Sequence, residues 1–270
     1  TAYEISLGLV GSEMCIRDRF ARAFNTIYIR ANGDVDPPAA PIQCVGNVYT
    51  FTSDIHDSIV VERDNIVIDG NGYKLQGTGV FGSRGIDLTN RYNVTIQNVQ
   101  IENFQYGIYL YSSSYNNISG NNIVASTRKN TRGIELYHST YNTIIGNNIT
   151  NNGCGIELYS YSNYNIMIGN NISNNSEGIR ISGYSTNNLI IRNNITNNGR
   201  YDYGAGIWLS KNSDYNIISK NNITVNNPCG IELHSTYNII SENNISNSWN
   251  GILFYDSCLL YTSPSPRDRG

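Results

Sequence analysis

Long apolar runs are missing from this chain of 270 residues: none approaches the ~20 consecutive residues that a helical membrane span requires. An excess of one charge is missing too. Eighteen Lys and Arg stand against 21 Asp and Glu, a formal net charge of −3, so there is no basic footprint for nucleic acid. Histidine, methionine and tryptophan are scarce, at three, two and two. A 3.6-residue hydrophobic period is absent throughout, which excludes a helical bundle or a helical solenoid. What the chain has instead is asparagine, glycine, isoleucine and tyrosine, arranged by a rule.

The two ends stand apart from that rule. Cys15-Ile16-Arg17-Asp18 can be encoded TGT ATA AGA GAC followed by A. The reverse complement, TGT CTC TTA TAC A, encodes Cys258-Leu259-Leu260-Tyr261. Opposite strands of one oligonucleotide at both ends of a chain resemble translated sequencing-adapter DNA, and such segments are set aside in fold reasoning. The expected organisation is therefore 1–19 and 258–270 adapter-derived, 20–64 an entry segment and cap, and 65–257 the repeats. Cys44, Cys154 and Cys229 are the cysteines left. No signal peptide is visible, and with the natural N-terminus expected upstream its absence decides nothing.

The dipeptide Gly-Ile recurs at Gly85, Gly107, Gly133, Gly155, Gly178, Gly206, Gly230 and Gly251, in steps of 22, 26, 22, 23, 28, 24 and 21 residues. A second anchor, Asn-Asn-Ile, ends at Ile123, Ile149, Ile172, Ile195, Ile223 and Ile245. Three residues before each Asn-Asn pair the column is always apolar: Ile118, Ile144, Met167, Ile190, Ile218 and Ile240. Each unit thus holds three short β-prone segments separated by Gly, Asn and Ser turns. Such units predict an all-β, single-stranded parallel β-helix with rungs of about 22 residues and three strands each. One rung cannot bury its apolar face alone, which is why it repeats. Ile108 and Leu110, with their counterparts, are expected inside. Asparagine at the corners is expected to take left-handed backbone and to form amide ladders along the axis. The six sites are Asn116, Asn142, Asn165, Asn188, Asn216 and Asn238. A tyrosine column, Tyr92, Tyr115, Tyr141, Tyr164, Tyr215 and Tyr237, runs just before them.

The GIELY and NNI[ST]NN units, from about Asn65 to Ser257, resemble right-handed parallel β-helix proteins of the pectin-lyase-like architecture. The likeness is nearest to NosD-like proteins with carbohydrate-binding and sugar-hydrolase repeats. The entry segment TIYIRANGDVDPPAAPI, Thr26 to Ile42, resembles the start of the mature region in archaeal secreted relatives. The resemblance implies a place outside the cell or on its surface. It specifies fold strongly and function weakly, since many activities share the architecture.

Copper, implied by the NosD likeness, is not supported by the residues. His138 and His234 fall four rungs apart, ~19 Å at ~4.8 Å per rung. Cys154 and Cys229 fall three rungs apart, ~14 Å on the same spacing, beyond the ~7 Å between Cα atoms that a disulfide spans. No metal site and no cofactor are expected. The sequons at Asn93, Asn117, Asn148, Asn171, Asn174, Asn194, Asn222 and Asn244 arise mostly from the repeat itself, so their number is no argument for glycan attachment.

The outward position of Gly-Ile-x-Leu is more informative. Up the stack it reads Asp87, Tyr109, Glu135, Glu157, Arg180, Trp208, Glu232 and Leu253. Glu135 and Glu157 on adjacent rungs are candidate catalytic carboxylates, expected ~5 Å apart, a separation retaining glycosidases use. Like charges that close push one pKa up. Two long connections, STRKNTR between Ile123 and Gly133 and GRYDYG between Ile195 and Gly206, leave the same corner beside this strip and are expected to wall a groove. Tyr109, Glu135, Glu157, Arg180, Trp208 and Glu232 are the expected ligand-binding residues, suited to sugar hydroxyls and stacking. The expected partner is a polysaccharide or cell-surface glycan, bound by a module or scaffold without assigned catalysis. A polysaccharide lyase or glycoside hydrolase is the alternative, although the clustered aspartates of pectate lyases and polygalacturonases have no match here.

Overall fold

Glycine opens each rung because nothing larger fits. A Cβ on Gly133 would lie 2.6 Å from the Gly155 carbonyl oxygen, and one on Gly206 would lie 2.6 Å from that of Gly230. Successive rungs therefore touch backbone to backbone at this corner, and the chain leaves it as a strand. The computed structural model describes residues 26–125, 130–199 and 204–255, with the backbone of the strand Tyr261–Ser263.

The described residues form three sheets of stacked short strands and no helix: an 11-stranded sheet of the Gly-Ile-x-Leu segments (sheet 1), an 11-stranded sheet of the x-Ile-x segments (sheet 2), and an 8-stranded sheet of the Asn-Ile-x segments (sheet 3). The coil makes about nine turns. Pairing is parallel from rung to rung, as the sequence period requires. Among the described residues, antiparallel pairs occur only at the start, Val35–Asp36 on Ile27–Ile29 and Ile42–Val45 on Val48–Phe51. Parallel pairing is already present between Ile27–Ile29 and Ile59–Val61.

Three apolar columns fill the interior. Ile108, Ile134, Ile156 and Ile179 from sheet 1 are in register, as are Ile118, Ile144, Met167 and Ile190 from sheet 2 and Ile123, Ile149, Ile172 and Ile195 from sheet 3. All are at most 1% exposed. Burying each contributes roughly 1.5–3 kcal/mol, and the stacking makes one continuous core.

Asparagine closes the corners, with one difference from expectation. Left-handed backbone belongs to the residue before it: Tyr115, Tyr141, Tyr164, Tyr215 and Tyr237 hold φ of 56–58°. The asparagines that follow turn inward and are buried. Asn142 shows the pattern. Its Nδ2 donates to Asn165 Oδ1 at 3.1 Å and to the Ser113 carbonyl at 3.0 Å. Its own Oδ1 accepts from the backbone N and the Nδ2 of Asn116. Asparagine beats other residues here because one amide serves four bonds in two directions. Two further ladders repeat the device at the other corners, Asn121 to Asn243 and Asn152 to Asn226. Tyr92 lies one residue outside the tyrosine column: it pairs with Ser114, and Asn93 takes the left-handed place in that rung.

Candidate functional site

The outer face of sheet 1 is where charge collects. Each strand there enters through Gly-Ile, and both of these residues are buried in Gly107-Ile108, Gly133-Ile134 and Gly155-Ile156. Two consecutive inward residues break the usual alternation, so residues three apart, such as Arg132 and Glu135, project on the same outer side. Two parallel columns result. One is the strip read from the sequence, and its register holds throughout: Asp87, Tyr109, Glu135, Glu157, Arg180, Trp208, Glu232 and Leu253 are successive partners. The other carries Arg84, Tyr106, Arg132, Cys154 and Glu177.

Arg132 joins the columns. Its Nε donates to Glu157 Oε2 at 2.5 Å and stands 3.7 Å from Glu135 Oε2. Glu157 also faces Arg180 Nη1 at 3.8 Å, and its side chain is only 8% exposed. Arg180 Nε lies 3.5 Å from Glu177 Oε2. That oxygen is buried and accepts no hydrogen bond, so the contact is ionic without donor alignment. Lower on the face, Arg84 pairs with Asp87 at 2.6 Å.

Burial, and next the carboxylate of Glu157, push Glu135 up to about 7. Burial likewise raises Glu177. Tyr106 and Tyr109 are raised chiefly by burial as well. At neutral pH the face therefore holds a carboxyl proton beside a carboxylate paired to two guanidiniums. Such a pair can give and take a proton, or donate and accept hydrogen bonds from hydroxyl groups.

The aromatic residues are placed differently from expectation. Trp208 is half-buried rather than exposed. Arg180 sits over its ring at 4.6 Å, and its Nε1 donates to Glu232 Oε1 at 3.3 Å. The ring of Tyr109 is covered by Arg84 at 3.8 Å. At the upper end, His234 Nε2 lies 2.7 Å from the same Glu232 oxygen, and its ring stacks on Tyr255 at 4.6 Å. Guanidiniums thus occupy faces that a sugar ring would use.

All six expected ligand residues are brought to one strip. Arg132, Glu177, Arg84 and the Glu232 contact of His234 were not found by sequence. Their signal was present: the column before each glycine is as periodic as the column after. Of the long connections, 126–129 and 200–203 lie outside the described residues. A further loop, residues 77–83, rises from the same corner, tied down by Gln105, whose Oε1 accepts from Gly82 N and whose Nε2 donates to the Asn130 carbonyl at 3.2 Å. Among the described residues, no three His, Cys, Asp or Glu converge as a metal site. Cys44, Cys154 and Cys229 are free thiols. Several sequon asparagines are engaged: Asn148, Asn171, Asn194, Asn222 and Asn244 each donate Nδ2 to the Oδ1 of the rung below at 2.7–2.8 Å.

Solved structures share this fold. A point mutant of the periplasmic alginate epimerase AlgG superposes with a TM-score of 0.61 at 15% identity, over 85% of this chain and 72% of that one. A second AlgG point mutant gives 0.51 at 20% identity, over 82% and 63%. The pectate lyase Pel9A gives 0.48 at 17% identity, over 82% and 64%. No curated protein matches the chain in sequence. The family model described as right handed beta helix region matches residues 84–245, and the chain belongs to that family, a right-handed parallel β-helix of pectin-lyase-like architecture.

Proposed function

We propose that the outer face of sheet 1 is a carbohydrate-binding surface of a protein that works outside the cytoplasm. One observation carries the reading: charged side chains are sequestered on an outward face, where the fold needs none, and Glu135 keeps its proton to about 7. Partly buried, paired charges with raised carboxyl pKa values are the kind of cluster that gathers at functional sites. Fold likeness to proteins described as alginate epimerases supports a carbohydrate, of whatever charge, as the ligand. Tyr109, Glu135, Glu157, Arg180, Trp208 and Glu232 form the floor of this surface. Residues 20–64 serve as the cap of this module. Titration of soluble oligosaccharides into the protein tests the reading. Binding should occur in wild type and weaken about tenfold or more in Trp208→Ala. No binding across neutral, amino and acidic sugars would leave a scaffold instead.

A second reading, glycan cleavage, is favoured by the unequal environments of Glu135 and Glu157, because carboxyl pairs driven apart in proton affinity divide acid and base roles. Glu135 would then protonate the leaving oxygen. Release of reducing or unsaturated ends, lost in Glu135→Gln and in Glu157→Gln, is the expected sign.

A further inference from the structure

Among the described residues, every arginine of the sheet 1 face already has a carboxylate partner. Arg84 pairs with Asp87 at 2.6 Å, Arg132 with Glu157 at 2.5 Å, and Arg180 with Glu177 at 3.5 Å and Glu157 at 3.8 Å. Two of the three also sit over aromatic rings, Arg84 over Tyr109 and Arg180 over Trp208. Against these three guanidiniums the described part of the face carries five carboxyl groups: Asp87, Glu135, Glu157, Glu177 and Glu232. His234, at the upper end of the described face, is bonded to Glu232 at 2.7 Å.

A sugar carboxylate needs a guanidinium or ammonium whose charge is not yet neutralised. To reach Arg132 it would have to displace Glu157 and remain beside that displaced carboxylate, with like charges meeting in a site of low solvent access. A hydroxyl group meets no such obstacle. It carries no charge to be repelled, and it accepts from guanidinium N–H groups left over by their partners, since each guanidinium carries five. We infer that this face takes an uncharged, hydroxyl-bearing glycan and excludes polyuronates. The inference rests on the carbohydrate reading above and sets this chain apart from structural neighbours described as acting on alginate. Specificity of this kind comes from repulsion built against the wrong ligand.

Removing the repulsion should reverse the choice. The probes are neutral β-glucan and xylan oligosaccharides on one side, oligomannuronate and oligogalacturonate on the other, titrated calorimetrically at neutral pH. Wild type should bind a neutral oligomer and bind both uronates at least about tenfold more weakly. Glu157→Gln removes the bonded carboxylate of Arg132 and one of the two beside Arg180, and should raise uronate affinity about tenfold or more, in a salt-dependent manner. Glu177→Gln, which removes only the other carboxylate beside Arg180 and leaves the Arg132 pair intact, should give a smaller gain and covers the case in which Glu157→Gln does not fold. Wild type that binds uronates as tightly as neutral oligomers overturns the inference and leaves the carbohydrate reading standing. So does neutral binding without a gain for uronates in either folded variant. No binding of any probe by wild type or variants removes the reading and the inference together.

Discussion

Glu135 and Glu157 are register partners on adjacent rungs, yet the guanidinium of Arg132 is bonded to only one of them, Glu157 at 2.5 Å against 3.7 Å for Glu135. The two carboxyls should therefore answer differently to the same substitution. Glu157→Gln takes a charged partner from Arg132 and should cost about 1.5–3 kcal/mol, the range for hydrogen bonds to charged groups. Glu135→Gln replaces a group that is protonated near neutrality and should stay within about 0.5 kcal/mol at pH 6. Urea denaturation midpoints of the two variants check this. Equal losses would mean that the pair acts as one unit.

The pH dependence of stability follows from the same asymmetry. Glu135 is raised to about 7 in the folded chain, whereas an unfolded glutamate titrates near ~4.3. Between these values the folded state binds the extra proton, so stability falls as pH rises from about 4.5 to 7. The stabilisation is complete below the unfolded value and is lost on passing the folded one. Glu135→Gln cannot titrate and should flatten this part of the curve. Melting temperatures of both proteins across that window measure the difference, and parallel curves would refute the assignment.

Buried asparagine gives a third outcome. Asn165 donates to Asn188 Oδ1 and the Ser139 carbonyl, and its Oδ1 accepts from both the backbone N and the Nδ2 of Asn142. Asn165→Ala takes partners from buried groups on the two neighbouring rungs and should cost about 2–4 kcal/mol, at ~1–3 kcal/mol for each uncompensated buried group. Asn171 is exposed, in the outer ladder of sheet 3, where water replaces a lost bond. Its alanine variant should lose under about 1 kcal/mol. Chemical denaturation separates the two, and similar losses would show that the interior ladder is not what holds the corner.

Most of this fold was legible because a solenoid writes each structural role into a column. Ile144 and Met167 needed no contact map, only their constant distance from the next Asn-Asn pair. The strip from Asp87 to Leu253 was legible for the same reason. Two things were hidden. Strand alternation, applied from the Gly-Ile pair outward, hides Arg132 and Glu177, because two inward residues in succession shift the outer face by one place. The open ring faces expected of Trp208 and Tyr109 were lost to Arg180 and Arg84, an outcome set by long side chains reaching between rungs. Left-handed backbone at Tyr115 and Tyr141 was also illegible, since the asparagine beside each is the residue that ordinarily takes it.

Glycine serves two distinct purposes in the repeat, and alanine should tell them apart. Gly133 has no left-handed φ, but its Cβ would lie 2.6 Å from both the Gly155 carbonyl oxygen and Ile149 Cγ2. Neither can withdraw: one is backbone in the ladder, the other is core. Gly146 is the reverse case, at φ +65° with nothing within 4 Å of its Cβ. Residues in its column also take this conformation with long side chains, Arg192 at φ 55° and Lys220 at φ 56°, which confirms that space is free. Gly146→Ala should thus cost only the left-handed penalty, about 1 kcal/mol. Gly133→Ala must move backbone or core and should cost about 3 kcal/mol or more, the upper range for overpacked interiors. Guanidinium denaturation of the two variants gives the order. If Gly146→Ala proved the more damaging, conformation rather than rung-to-rung contact would be what glycine supplies at the head of each Gly-Ile strand.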